Sequence, residues 1–186
     1  MYIRCFIAID LPVQIKKELG ELIGTLKSNY SDIKWVRTEN MHLTLKFLGN
    51  TPEEGLPEIS GSLTSIVSSY KPFTIKICGT GIFPNRKNPR VVWVGVQDSA
   101  IMKDLKSEIE KSMSAFGYEE ENKEFTPHLT LGRVHSHKGM ISLMNELSKF
   151  EGKDFGTMDV NGILLIKSEL RPKGPEYTCL KDLRFS

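Results

Sequence analysis

His42-Leu43-Thr44-Leu45 recurs as His128-Leu129-Thr130-Leu131, 86 residues further on, in a chain of 186 residues with only four histidines. The offset is close to half the chain, and each copy follows a helical pattern and its connection. A period this long is not a solenoid repeat. It predicts a duplication, with two similar lobes that each contribute one copy. In an extended strand residues i and i+2 share a face. His42 and Thr44 therefore point one way, and Leu43 and Leu45 point the other way, where they anchor the strand. His128, Thr130 and their leucines repeat the arrangement. If the lobes face one another about a pseudo-two-fold axis, two imidazoles and two hydroxyls converge in one cleft.

The flanking sequence is consistent with such lobes. Tyr2–Ile9 reads as a strand with Ile3, Cys5 and Ile7 on one face. Asp10-Leu11-Pro12 reads as a helix start, followed by the stripe Ile15, Leu19, Leu22, Ile23 and Leu26 and an end near Asn29. Strands are predicted at Lys34–Arg37, Met41–Leu48, Phe73–Cys78, Val91–Val96, His128–Val134, Gly162–Glu169 and Tyr177–Leu183. Helices are predicted at Leu56–Ser69, Ile101–Phe116 and Met140–Lys149. Gly79–Pro89, rich in Gly, Pro and Asn, reads as a loop. Strands and helices alternate irregularly with hairpin-sized links, which predicts an α+β fold with largely antiparallel sheets flanked by helices. No linker is long enough to separate independent domains, so residues 1–186 read as one domain of two intertwined lobes, with motifs at 42–45 and 128–131.

Composition narrows the functional classes. Hydrophobic residues make up 39% and charged residues 26%, with a net charge of +2, so any nucleic-acid contact must come from local patches. No apolar run approaches the roughly 20 residues of a membrane span. The N-terminus enters a strand pattern at once, with no export signal, and a cytoplasmic protein is expected. Cys5, Cys78 and Cys179 are odd in number and widely spaced in apolar segments, and are expected to be buried free thiols. The acidic run Glu119–Glu124 reads as a solvated connection. His135 and His137 read as part of a polar loop, because no carboxylate or cysteine nearby completes a metal set. Neither a metal nor a cofactor is expected.

Histidine has an unperturbed pKa near 6.5, so one copy can be protonated while the other is not. In-line displacement at phosphorus needs a base beside the incoming oxygen and an acid beside the leaving one. His42 and His128 supply both, and Thr44 and Thr130 can hydrogen-bond the non-bridging oxygens as charge builds. Arg86, Lys87 and Arg90 can hold an RNA backbone, or they are ordinary surface charge. Arg133 falls on the face opposite His128 in a regular strand. It reaches a phosphate only if the strand bulges at Gly132. Phe47, the equivalent position in the first half, is either a base-stacking platform or core.

These residues sit in longer stretches that resemble the two-histidine (2H) phosphoesterases, specifically the RNA 2′,3′-cyclic phosphodiesterases once named 2′-5′ RNA ligases. The stretches are R-C-F-I-A-I-D-L-P (Arg4–Pro12), H-L-T-L-K-F-L-G (His42–Gly49), G-I-F-P with P-R-V-V-W-V-G-V (Gly81–Val96), P-H-L-T-L-G-R-V (Pro127–Val134) and S-E-L-R-P-K-G-P-E-Y (Ser168–Tyr177). The resemblance implies two α+β lobes around a water-filled cleft. It also implies metal-independent hydrolysis of RNA 2′,3′-cyclic phosphate ends to 2′-phosphomonoesters, with Arg133 on the phosphate; whether the natural substrate is a tRNA fragment, a decay fragment or a small cyclic nucleotide stays open. If the phosphate leans toward Arg133 and the sugar toward Phe47, His42 is the proton donor to the leaving O3′ and His128 the proton acceptor from water. The resemblance points the same way. Two other readings stand beside this one: a 2′-5′ RNA ligase running the reverse reaction, and a non-catalytic RNA-end binder, which would need no poised acid and base. A monomer is expected.

Overall fold

The computed structural model describes residues 1–27, 32–97, 99–121, 123–136, 138–172 and 174–186. Among the described residues, nine strands form two antiparallel sheets. In the first sheet the order is β3 (His42–Pro52), β1 (Tyr2–Asp10), β8 (Gly162–Arg171), β9 (Gly174–Arg184). In the second it is β2 (Ile33–Trp35), β6 (His128–Val134), β5 (Asn88–Val96), β4 (Phe73–Asn85), β7 (Asp154–Val160). The motif strands β3 and β6 are equivalent, each pairing with a central strand, β1 or β5. The second sheet has one strand more, because β2 pairs outside β6.

Each sheet turns one face to the hydrophobic core. Cys5, Ile7 and Ile9 of β1 point there, as alternation predicts, while Phe6 and Ala8 form a separate small cluster with Ile166 on the opposite face. Leu43, Leu45, Leu129 and Leu131 are each at most 1% exposed. Burying each such leucine contributes ~1.5–3 kcal/mol, enough to hold the motif strands down. Among the described residues, four α-helices cover the core: α1 (Val13–Lys27), α2 (Leu56–Val67), α3 (Ala100–Ser114) and α4 (Met140–Ser148). The helix that follows each central strand crosses to the other sheet. α1 leaves β1 and packs on β7, and α3 leaves β5 and packs on β3. The two halves are thus laced together through one core.

Several expectations need correction. Gly79–Pro89 is not a loop but the tip of a long β4–β5 hairpin. Its glycines permit close pairing rather than disorder: a Cβ on Gly81 would lie 2.2 Å from the Trp93 ring, and Gly79 has φ +70°. Asn85 closes the turn, its Oδ1 accepting from the backbone N–H groups of Lys87 (3.0 Å) and Asn88 (2.9 Å). Strand β7 was not expected at all. Of the three free cysteines only Cys5 is buried; Cys78 is half-buried and Cys179 is exposed near the sheet edge. The expected helix end near Asn29, and His137, lie outside the described residues. No helix among the described residues is long and apolar enough to cross a membrane.

Candidate functional site

The two motif strands approach each other at the seam between the sheets, with Cα atoms within 8 Å. His42 opens β3 and His128 opens β6, and both rings are held in the same way. His42 Nδ1 lies 2.8 Å from the carbonyl oxygen of Asn40, and His128 Nδ1 lies 2.8 Å from that of Thr126. A carbonyl oxygen can only accept, so each Nδ1 carries the proton and donates. Each Nε2 is then the nitrogen left for exchange with a substrate. Two rings fixed in one tautomer by the same i−2 carbonyl are what an acid–base pair requires.

The cross-strand register shows what shares their face. Asp10 pairs with His42 and Ala8 with Thr44, but Ile7 pairs with Lys46, so Leu45 is an extra, bulged residue. The same irregularity recurs in the second half: Trp93 pairs with Thr130, and Val92 pairs with Gly132, leaving Leu131 bulged. Past each bulge the alternation is inverted. Phe47 pairs with Phe6 and Arg133 with Val91. Partners in register share a face, so Phe47 and Arg133 stand on the face of the histidines. The bulge that Arg133 required is therefore present, one residue before Gly132. Gly132 has its own reason, since a Cβ there would lie 2.6 Å from Ile33 Cγ2. Phe47 is 61% exposed, with its ring centroid 6.0 Å from Phe6, and so is not core. Thr44 and Thr130 are half-buried on the same face as the histidines, and their hydroxyls make no hydrogen bond to another described residue.

Aromatic rings wall both histidines. Phe6 lies 4.6 Å from His42, and Tyr177 meets His42 edge-on at 5.3 Å. Phe83 meets His128 edge-on at 4.9 Å, and Trp93 lies 6.4 Å away. Burial in this wall lowers the His42 pKa to about 4, against the Asn40 carbonyl bond and the negative charge of Asp10, which both favour the cation; Lys16 adds slightly to the depression. Burial raises Tyr177 above the usual phenol value, opposed by the positive charges of Arg133 and Arg4. The Arg133 charge from the second half thus reaches a ring that touches His42 in the first. Phe6, Phe83, Trp93 and Tyr177 were not singled out from sequence. For Phe6 the signal was present, two residues from Ala8 on the non-core face of β1. For Tyr177 the one signal was its place at the end of the family-like stretch Ser168–Tyr177, and only the fold brings it to the site from 135 residues beyond His42.

On the core side of β3, the bulge turns Lys46 inward. At 2% exposure it pairs with Glu110 of α3 and donates to the carbonyl of Glu119 at 2.8 Å. Lys106 pairs with Glu110 as well and with Glu121 at 3.0 Å. Burial alone would raise the Glu110 pKa, but hydrogen bonds from Lys106 and Lys46 hold it below the usual value. Arg86, one of the three basic hairpin residues, is paired with Glu151, which leaves Lys87 and Arg90 for other contacts. Among the described residues, no three His, Cys, Asp or Glu side chains are grouped to hold a metal ion.

Comparison with known proteins adds a family context. The model of the LigT-like phosphoesterases matches twice in succession, over residues 9–93 and 94–177. An RNA 2′,3′-cyclic phosphodiesterase of Methanothermobacter thermautotrophicus is 35% identical over 185 residues, covering 100% of both chains. One of Methanocaldococcus jannaschii is 37% identical over 179 residues, covering 96% of this chain and 99% of its own. A crystal structure from Thermus thermophilus superposes with a TM-score of 0.84 at 30% identity over 98% of each chain. Escherichia coli LigT complexed with 3′-AMP has the same fold, with a TM-score of 0.79 at 24% identity, covering 100% of this chain and 99% of its own.

Proposed function

Because this chain belongs to the LigT-like phosphoesterase family, we propose that it hydrolyses RNA 2′,3′-cyclic phosphate ends to 2′-phosphomonoesters, using His42 and His128 and no metal. The observation that carries this reading is the pair of histidines on equivalent strands, each with Nδ1–H on an i−2 carbonyl and with Nε2 making no hydrogen bond to a described residue. The curated relatives are named for this activity along their full length.

In the proposed reaction, His128 Nε2 takes a proton from water as the water oxygen attacks phosphorus. The P–O3′ bond breaks, and His42 Nε2–H gives its proton to the departing O3′. The 2′-O–P bond survives, so the product is a 2′-phosphate. Thr44, Thr130 and Arg133 hold the non-bridging oxygens, where negative charge grows. Phe47 and Phe6 offer an apolar surface to the terminal base and sugar. Burial keeps His42 neutral in the empty site, so its donor role requires that the proton arrive with the substrate anion. Neutral His42 on its own would suit a base, and the exchanged assignment is the second reading this observation favours. RNA is the proposed partner, as the substrate of a monomeric enzyme in the cytoplasm. Hydrolysis is favoured over 2′-5′ ligation because water is the more abundant nucleophile.

The test is incubation of a short RNA bearing a 2′,3′-cyclic phosphate with the protein in excess EDTA, followed by identification of the new terminus. A 2′-phosphate is expected. A 3′-phosphate, or activity that appears only when a divalent metal is restored, would overturn the proposed chemistry.

A further inference from the structure

The extra strand of the second sheet breaks the symmetry of the cleft. Strand β2 pairs Ile33 with Val134, Lys34 with Arg133 and Trp35 with Gly132. Ile33 is buried, and Trp35 packs against the same core. Lys34, between them, is exposed and shares the face of its partner Arg133. Two cations therefore stand directly opposite each other on the face of the histidines. Side chains so placed have Cβ atoms ~5 Å apart, and like charges in that position destabilise a sheet. Among the described residues, neither Lys34 nor Arg133 makes an ion pair with a carboxylate. The first sheet has nothing equivalent, because β3 is its edge and Phe47 takes the place of Arg133.

A bound polyanion relieves this repulsion, and the geometry indicates which part of it. From His128 to Arg133 the paired residues run from Gly95 to Val91, four steps along the strand, or ~13 Å at 3.3 Å per residue. Arg133 has a long side chain that can lean back along the strand toward the histidines. Lys34 stands at the same level but one strand spacing, ~4.8 Å, further out. Lys34 thus stands farther from the histidines than Arg133 does, on the same face of the sheet.

Building on the proposed function, we propose that Lys34 binds the phosphate on the 5′ side of the terminal ribose, and that the enzyme thereby prefers oligonucleotide ends over cyclic mononucleotides. Lysine suits this role, since a mobile point charge tolerates varied backbone geometry while Arg133 grips the reacting group. The ligand class is an RNA of at least two nucleotides ending in a 2′,3′-cyclic phosphate.

The experiment compares kcat/KM for a 2′,3′-cyclic mononucleotide and for the dinucleotide carrying the same cyclic end. In Lys34→Ala the dinucleotide-to-mononucleotide ratio should fall roughly tenfold, the worth of one charge-assisted contact, and Lys34→Arg should restore most of it. Replacing the internucleotide phosphate by a neutral methylphosphonate should lower the wild-type ratio by the same factor and leave Lys34→Ala with no further loss. An unchanged ratio in Lys34→Ala, or equal loss on both substrates, would overturn the assignment of Lys34 while leaving the proposed function standing. Absence of turnover on both substrates with the wild-type protein would overturn the function itself, and this inference with it.

Discussion

Binding a phosphate anion should convert His42 from a neutral ring to a protonated one near neutral pH. In the free protein its pKa is lowered to about 4, against ~6.5 for an unperturbed histidine. The difference of ~2.5 units corresponds to at most ~3.4 kcal/mol. Its sign is fixed: the unfolded chain binds the proton more tightly, so this contribution is present above pH ~6.5 and is lost as pH falls from there toward 4. A unit negative charge ~4 Å from the ring, at an effective dielectric of ~20, is worth ~4 kcal/mol. That equals ~3 pKa units, enough to bring His42 to about 7 in the complex. A titration by NMR of imidazole-labelled protein, free and saturated with a 2′-phosphorylated ribonucleoside, reads both states. The expected result is a His42 resonance that titrates near 4 alone and near or above 7 in the complex, with proton uptake on binding detected by calorimetry in two buffers. A free-state pKa near 6.5 would refute the burial argument, and a bound-state pKa still near 4 would refute the donor role.

Three further outcomes follow from the same geometry. A cyclic substrate with sulfur at the 3′ bridging position needs less help from an acid, so it should rescue His42→Ala far more than His128→Ala; the reverse pattern in single-turnover rates would exchange the two roles. Lys46→Met leaves Glu110 buried with one of its two lysines gone, and should cost ~3–5 kcal/mol in urea unfolding, whereas a loss below ~1 kcal/mol would mean that the network is dispensable. Gly132→Ala drives a methyl group to 2.6 Å from Ile33 and 3.0 Å from Trp35; it should destabilise by ~1–3 kcal/mol and raise KM through a displaced Arg133, and wild-type values for both would show that β2 is free to move.

The site residues were more legible than the elements that carry them. His42, Thr44, His128 and Thr130 could be placed on one face because period-2 alternation holds up to each bulge. The bulge near Gly132 was visible as a requirement of Arg133, but its twin at Leu45 carried no glycine signal, and so Phe47 could not be assigned to core or cleft. Strand β7 was missed for a related reason. Its buried residues Phe155, Met158 and Val160 do not alternate, because its pairing with β4 shifts between Ile77 and Cys78. The tip of the β4–β5 hairpin reads as a loop in the sequence because of its Gly, Pro and Asn, residues that serve there to admit the Trp93 ring and close a turn. Tyr177 and Lys34 reach the site only through long-range pairing, which no local pattern encodes.

Turnover of a short RNA with a 2′,3′-cyclic phosphate end, measured for the wild-type protein and for His42→Ala and His128→Ala shown by circular dichroism to be folded, bears most directly on the two-histidine mechanism. Each variant should lose ~10²–10⁴-fold, the usual worth of one general acid or base, while the wild type forms the 2′-phosphate. Near-wild-type turnover in either folded variant would contradict it.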